Sequence, residues 1–386
     1  MEAAFWFCVG LVFYTYFLYP TLIAALRYPR SRADALGAPP GRVSIVVVAH
    51  NEDAQIRTRL ENLLGQQPQE LIGEIIVVSD GSNDGTCETV GKLAGQDSRI
   101  RLIALPDRSG KAAGLNVGIA AAKNSFIVFT DARQEFQSDT IKLLILRFAD
   151  PAVGAVSGEL KFREYTVKGY VSESLGLYWQ YETWLRRNEA SFDSLIGCSG
   201  AVYAARKELI KPLPDGLILD DVWIPIHIVM SGKRVVYEPQ AIAWDVAREA
   251  LGDEFKRKVR TLAGNLQLVS ADPLILSPLH NRLWWMFISH KLCRLVVPYA
   301  LVVAIAVNVS LTGPYYVGTL VLQIIFYFLG LVGYLVQWGW NKTSCKLCNA
   351  VRVFLGINVA AAVGLVVALT GRCNSLWTKP TSHERS

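Results

Sequence analysis

Charged residues sit where apolar runs end, and that is where an α/β protein exposes side chains to a ligand. Asp80 closes the run Glu74-Ile-Ile-Val-Val-Ser79, inside Val77-Val-Ser-Asp-Gly-Ser-Asn-Asp-Gly-Thr86. A carboxylate there can accept hydrogen bonds from a nucleobase or a ribose. Gly81 and Gly85 let the backbone come close. The same segment also reads as an Asx turn with Asp84 capping the next helix. Asp131 closes Phe126-Ile-Val-Phe-Thr130, where a metal-bound diphosphate could lie, although a lone aspartate at a strand end also serves in turns. Asp220 and Asp221 are adjacent. Neighbouring carboxylates repel, which raises one pKa toward the range of a useful base; one of the two can also cap the helix that Val222-Trp-Ile-Pro-Ile-His opens. Arg257 and Arg260 are three apart in Glu254-Phe-Lys-Arg-Lys-Val-Arg260, so they share a helix face and can act together. The alternative is a headgroup-facing amphipathic helix, and Lys256 and Lys258 are expected to meet water or headgroups.

The elements that must position these residues alternate. Val43 to Ala49 is a β-branched run, as in a strand buried on both faces, followed by helical spacing over Ile56 to Leu64. Glu74 to Ser79 is a second strand, and Asp84 to Glu88 opens a helix. Ile100 to Leu105 is a third strand, Ala112 to Ala122 a helix, and Phe126 to Thr130 a fourth strand. This β-α alternation predicts an α/β fold with a mostly parallel, doubly wound sheet. In such sheets ligands bind at the carboxyl ends of the strands. His50-Asn51-Glu52, Asp80-Gly81-Ser82 and Asp131-Ala132-Arg133 cluster there. No G-x-G-x-x-G follows the first strand, and Arg108-Ser-Gly-Lys111 lacks the upstream glycine and hydroxyl of a P-loop. Dinucleotide dehydrogenases and P-loop NTPases are therefore disfavoured.

The chain has 386 residues, 52% hydrophobic and 19% charged, with net charge +6 and mean hydropathy +0.28. A disordered, collagenous or purely soluble protein does not have this composition. Ala3 to Leu26 carries no charge, and a bilayer core needs about 20 apolar residues. It lacks a basic n-region and a small-residue cleavage site, so it reads as an anchor. Leu295 to Trp340 is also uncharged; the turn Asn308 to Pro314 divides it into spans at 295–313 and 315–338, and 353–371 is a last span. Arg27, Arg30, Arg32 and Arg42, then Lys291 and Arg294, then Lys342, Lys346 and Arg352 put the central region on the cytoplasmic side; Arg372 and Lys379 in the tail run against the rule. The expected organisation is an anchor at 1–27, a cytoplasmic domain with interface helices at 43–282, a membrane region at 283–372 and a tail at 373–386. The spans are expected to bury no charge, which makes a poor translocation path. The sequon at Asn341 falls on the cytoplasmic side and is expected to be unused. Seven cysteines, an odd number, do not form a disulfide framework, and Cys345 and Cys348 read as ordinary loop residues.

In order and spacing, these segments resemble the family 2 glycosyltransferases of GT-A fold. Ala49-His-Asn-Glu52 is similar to the family's "P/A-x-N-E" and Ser79-Asp-Gly-Ser-Asn-Asp84 to its "D-D-G-S-x-D". Gly110-Lys111 with Leu115-Asn116 resembles "G-K-x-x-x-L-N". Asp131-Ala-Arg133 stands at the D-x-D, and Gly197-Cys-Ser-Gly-Ala201 at the acceptor-side "G-x-S-G". Asp220-Asp221 stands at the "E-D", and Arg257-Lys-Val-Arg260-Thr261 at the "Q-x-x-R-W". With its flanking spans, the chain looks like the membrane synthases of hyaluronan, cellulose, chitin and poly-N-acetylglucosamine. The resemblance implies an inverting transfer from a nucleotide-diphospho-sugar, of the UDP type, to a saccharide or lipid-linked acceptor at the cytoplasmic face of a bacterial inner membrane. Membrane lipids are implied as partners and nucleic acid is not. It implies that Glu52 and Asp80 hold the nucleoside and that Lys111 faces uracil or phosphate. Asp131 would bind Mg²⁺ or Mn²⁺, and Ser199, Gly200 and Asp220 would line the acceptor side. Asp221 would be the general base, and Arg257 and Arg260 would clamp the diphosphate.

The chain departs from the pattern twice. Arg133 replaces the second Asp of the D-x-D, which removes one metal ligand and is expected to put an arginine beside the phosphates. Arg257 and Thr261 replace the Gln and Trp of the last motif, so processive synthesis does not follow. Tyr178-Trp-Gln-Tyr-Glu-Thr-Trp184 reads either as ordinary helix packing or as a platform for acceptor sugar rings, and His290 as an interfacial residue. A nucleotidyltransferase would want a glycine-rich loop where His50-Asn51-Glu52 stands. A transporter or receptor would leave Asp80, Asp131, Asp221 and Arg260 without a common purpose.

Overall fold

The computed structural model describes residues 1–27, 39–163, 171–246, 251–336 and 346–371. The expectations on Arg30, Arg32, Asn341, Lys342, Cys345, Arg372 and Lys379 lie outside these residues. Among the described residues one sheet contains β1 (Val43–Ala49), β2 (Ile72–Asp80), β3 (Ile100–Leu105), β4 (Phe126–Thr130), β5 (Glu135–Phe136), β6 (Val153–Arg163), β7 (Tyr203–Arg206) and β8 (Arg234–Val246). Their order is β3-β2-β1-β4-β7-β6-β8-β5. β1 pairs in parallel with β2 and β4, and β2 with β3. Strand side chains alternate between faces, and here both faces are apolar. Val43, Ile45, Val47 and Ala49 pack with Ile75, Val77 and Val128 under the Asp53–Leu64, Thr86–Ala94 and Thr140–Leu146 helices. Val46 packs with Ile76, Val78, Ile127 and Phe129 under the Lys111–Ala121 and Asp220–Met230 helices.

The Lys111–Ala121 helix lies unusually close to the sheet. A Cβ on Gly118 would stand 2.5 Å from Val46 Cγ1, and one on Gly114 2.7 Å from Val48 Cγ1. The absence of side chains at these two positions sets how near its first residue, Lys111, comes to the strand ends.

Beyond β4 the parallel expectation stops. β7 runs antiparallel to both β4 and β6, β8 is parallel to β6, and β5 is antiparallel to β8. Phe129 near the carboxyl end of β4 pairs with Tyr203 at the start of β7. The chain entering β7, from Gly197 to Ala201, therefore arrives at the same edge as the ends of β1, β2 and β4. So does the end of β8.

Among the described residues four helices are long and apolar enough to cross a membrane: Glu2–Leu26, Trp284–Asn308, Pro314–Leu335 and Lys346–Leu369. The second begins well before the uncharged run read from the sequence, because Lys291 and Arg294 are helical rather than flanking. Tyr19 and Ile23 of the first helix and Leu283, Met286 and Phe287 belong to the same core as Val222 and Trp223. The first two apolar helices are thus built into the domain beneath them.

A buried ionic cluster ties this junction, which corrects two expectations: the span does bury charge, and His290 is not a surface residue. His290 is 2% exposed. Its Nδ1 lies 2.7 Å from Glu189 Oε1 and its Nε2 3.3 Å from Glu182 Oε2. Arg294 Nη1 donates to Glu182 Oε1 at 2.5 Å, and Tyr19 Oη donates to Glu189 Oε1 at 2.6 Å. The Arg294 guanidinium also lies 5.8 Å from the ring centre of Tyr16 and 5.9 Å from that of Tyr181. The charges are tolerated because each meets an opposite charge or an aromatic face.

Candidate active site

The strand order reverses between β1 and β4, and their carboxyl ends border the crevice where such sheets bind ligands. The loops after β1 and β2 are laced together at this edge. Asn51, in the left-handed region at φ 53°, accepts from the Asn83 amide through Oδ1 at 3.0 Å. His50 Nδ1 donates to the Asp80 carbonyl at 2.6 Å. The Glu52 amide donates to Thr86 Oγ1 at 2.8 Å, and its carboxylate accepts from Gln55 Nε2 at 3.2 Å. Gly85 occupies the cap position of the Thr86–Ala94 helix, and Asp84 accepts from the Thr86 amide at 2.9 Å. The Asx turn is therefore the reading that holds for Asp84.

Asp80 is 1% exposed. Its Oδ1 accepts from the amides of Ser109 at 2.6 Å and Gly110 at 3.1 Å, and its Oδ2 from Gly110 at 3.0 Å. Gly81 makes this contact feasible: at φ +60° it would place a Cβ 2.6 Å from the Arg108 amide nitrogen. Asp80 thus anchors the loop that leads into Lys111.

Lys111 is the centre of the arrangement. Its Nζ lies 3.1 Å from Asp131 Oδ1 and 3.3 Å from Asp220 Oδ1. Burial alone would lower its pKa, but Asp131, Asp220 and Asp221 together outweigh burial and raise it. The ammonium expected to face uracil or phosphate is held between two carboxylates. Asp131 is 40% exposed. Arg133 meets a different carboxylate: its Nη2 pairs with Asp245 Oδ2 at 3.1 Å, and Gln134 Nε2 donates to that oxygen at 3.0 Å. Among the described residues no group of three or more His, Cys, Asp or Glu gathers as a metal cage. One carboxylate at an open strand end still fits a hard cation that takes its remaining ligands from phosphate and water.

Asp220 and Asp221 form the first turn of the Asp220–Met230 helix, after Leu219 at the cap. Burial raises the Asp220 carboxyl, Lys111 lowers it and Asp131 raises it again. Burial and then Asp220 push Asp221 up to about 6, against Lys111, Lys291 and Arg186. The Gly197–Ala201 segment lies on this carboxylate: a Cβ on Gly200 would stand 3.3 Å from Asp221 Oδ2, and the Cys198 amide donates to the Asp221 carbonyl at 2.7 Å. The Ser199 amide donates to Ser157 Oγ at 3.0 Å, and Arg186 Nη2 donates to the same oxygen at 3.2 Å.

The Leu251–Ala271 helix runs past this point. A Cβ on Gly264 would stand 2.7 Å from Leu219 Cγ. Arg260 is four residues earlier and Arg257 seven, so both share the face that meets Leu219. Lys258 departs from its expectation. Its Nζ sits 4.4 Å above the ring of Tyr178 and 5.3 Å above that of Trp179, so the aromatic stretch binds this helix rather than standing open. Trp179 also meets Phe162 edge-on at 5.4 Å. Lys256 is exposed. Arg186, Ser157 and Asp245 were not visible as site residues in the sequence. No local pattern marks them, and they reach the edge only through the strand reversal.

Residues 44–213 match the family model described as glycosyl transferase family 2. The chain is 26% identical over 235 residues to the poly-beta-1,6-N-acetyl-D-glucosamine synthase of Staphylococcus aureus, covering 60% of this chain and 56% of that protein. It is 24% identical to the Staphylococcus epidermidis protein of the same name over a stretch of the same length. The chain thus spans little more than half the length of these curated relatives. Among solved structures, a mannosyltransferase from Pyrobaculum calidifontis, in complex with GDP-Man and Mn²⁺, superposes with a TM-score of 0.71 at 21% identity, covering 96% of this chain and 99% of that one. Residues 44–213 thus resemble a glycosyl transferase family 2 domain, on a mostly parallel sheet of GT-A fold, in a chain whose described residues include four helices long and apolar enough to cross a membrane.

Proposed function

We propose that this protein transfers a sugar from a nucleotide-diphospho-sugar, of the UDP type, to a saccharide or lipid-linked acceptor at the cytoplasmic face of a membrane, with inversion, in polysaccharide or glycolipid synthesis. The observation that carries the reading is Asp221. It is held near pKa 6 by burial and by Asp220, beneath the glycine of the Gly197–Ala201 segment. A base must be ionised at working pH yet able to take a proton, and a value near 6 satisfies both.

The acceptor oxygen attacks the anomeric carbon as the bond to the diphosphate breaks. The acceptor proton goes to Asp221, and the leaving nucleoside diphosphate takes the electron pair. Glu52 and Asp80 border the nucleoside side, Asp80 by fixing the loop before Lys111. Ser199, Gly200 and Asp220 border the acceptor side. Lys111 supplies a fixed positive charge between the two sides, where charge develops as the diphosphate departs. Arg257 and Arg260 add a cation that can engage two phosphate oxygens. Asp131 would hold Mg²⁺ or Mn²⁺, which neutralises diphosphate charge when bound. The Lys111 ammonium already meets one of the two Asp131 carboxylate oxygens. Arg133 is paired with Asp245, so its contribution at the phosphates requires leaving that partner.

A panel of UDP- and GDP-sugars offered to the detergent-solubilised protein tests the reading. Release of nucleoside diphosphate from at least one is expected, and acceptor should raise the rate. Binding and release of none of them would remove the enzyme reading.

A further inference from the structure

Among the buried cations outside this scheme is Arg59. Arg59, on the Asp53–Leu64 helix, is 2% exposed. Its Nη1 donates to Asn62 Oδ1 at 2.7 Å and its Nη2 to Thr130 Oγ1 at 2.6 Å. The guanidinium carbon lies 4.2 Å from the ring centre of Phe136, and Nε is buried without a hydrogen-bond partner. Among the described residues no carboxylate pairs with it directly. A buried charge of this kind is expensive unless something compensates it. Burial pulls its pKa down to about 9, and the charges that act against burial are those of Asp131 and Glu135. Thr130, which immediately precedes Asp131, is 5% exposed, and its hydroxyl donates to the Ala201 carbonyl at 2.8 Å.

A single hydroxyl therefore joins the end of β4, which carries Asp131, to the end of the segment that covers Asp221. We propose that Arg59 is a positioning residue: through the Thr130 hydroxyl it locks the donor-side strand end to the acceptor-side segment, and its buried charge near Asp131 weakens cation binding there. This rests on the donor and acceptor roles given above to Asp131 and to Gly197–Ala201. Asp131 then has Lys111 in contact and the Arg59 guanidinium hydrogen-bonded to its chain neighbour Thr130. That arrangement suits a cation that arrives with the nucleotide and leaves with it.

The test uses the full-length, detergent-solubilised protein. Mn²⁺ binding is read by electron paramagnetic resonance, with Mn²⁺ alone and with UDP or GDP, and turnover of nucleotide sugars is measured on the same samples. Arg59→Met should tighten Mn²⁺ binding by about three- to tenfold, as expected for removing one nearby positive charge, and lower turnover. Arg59→Lys, which keeps the charge, should bind Mn²⁺ like wild type. Thr130→Val should leave Mn²⁺ affinity unchanged and lower kcat by about tenfold, with Thr130→Ser restoring it. Unchanged Mn²⁺ affinity in Arg59→Met, or wild-type turnover in Thr130→Val, overturns the proposal. Should Arg59→Met fail to fold, the Thr130 pair decides, because Thr130→Val is nearly isosteric and Thr130→Ser keeps the hydroxyl. If the wild type turns over no nucleotide sugar, the enzyme reading fails, and the Mn²⁺ titration still decides the fate of Arg59.

Discussion

The protein contains two buried clusters of carboxylates and cations, and their pKa values move in opposite directions. At the strand ends, Asp131, Asp220 and Asp221 share the Lys111 ammonium, and both Asp220 and Asp221 are pushed up. At the membrane junction, Glu182 and Glu189 face His290 and Arg294, with Lys291 nearby, and both are held below the ordinary carboxylate value. Burial is the largest single influence at all four carboxylates and raises each. The difference is the balance of charge. At the strand ends a neighbouring carboxylate adds to burial. At the junction Glu182 and Glu189 pair directly with Arg294 and His290, and among the described residues no carboxylate repels them. Where cations match the carboxylates, the cluster fastens helices together. Where they fall short, a carboxylate is left able to take up a proton near neutral pH. A buried acid alone marks neither role.

Substitution should separate the clusters. Asp221→Asn is expected to reduce transfer by about 10²–10⁴-fold with nucleotide-sugar binding within about twofold of wild type; transfer within tenfold of wild type would reduce Asp221 to a helix-end residue. Its effect on stability should be favourable. The folded pKa of Asp221 is raised, so this group's contribution to stability falls as pH rises from about 4 through 6. The asparagine variant should therefore melt at or above the wild-type temperature at pH 8. Glu189→Gln should do the reverse. Its folded pKa is lowered, so its stabilising contribution is present above the unfolded value and lost as acid titrates it. Breaking a buried pair costs about 3–5 kcal/mol, seen as a lower melting temperature at pH 7, with turnover per folded molecule unchanged. A catalytic loss larger than the loss of folded protein would merge the two clusters into one function.

Arg260→Lys should lower kcat by about tenfold, more than it raises the donor KM, because lysine cannot engage two phosphate oxygens at once. The control is Lys256→Ala, since Lys258 is held over Tyr178 and Trp179. Equal small effects in both variants would remove the clamp. A smaller effect is expected in the pH profile. The acidic limb of kcat/KM should lie near the Asp221 value of about 6, and Asp220→Asn should move it to lower pH by removing a repelling charge. An upward shift would contradict the charge count. Chelation by EDTA should inhibit, with ready reversal by Mg²⁺ or Mn²⁺; full activity after exhaustive chelation would leave neutralisation to Lys111, Arg257 and Arg260.

The sequence by itself determined the parallel half of the sheet and the residues at its edge. A strand buried on both faces must be a continuous apolar run, so β1, β2 and β4 announce themselves, and Asp80 and Asp131 mark where each run stops. It also determined that Asp220 repels Asp221, because adjacency in the chain is proximity, and that four stretches are apolar enough to span a membrane. Only the tertiary structure decided which partners these charges take. β7 is too short to signal its antiparallel course, yet that course carries Ser199 and Gly200 onto Asp221 and brings Ser157 and Arg186 beside them. Arg133 meets Asp245 across strand ends far apart in the chain. His290 and Arg294, in a helix that reads as an interface, find Glu182 and Glu189 inside the protein. Periodicity records which face of an element is buried, whereas pairing between distant charges depends on how the elements are packed, which local sequence does not encode.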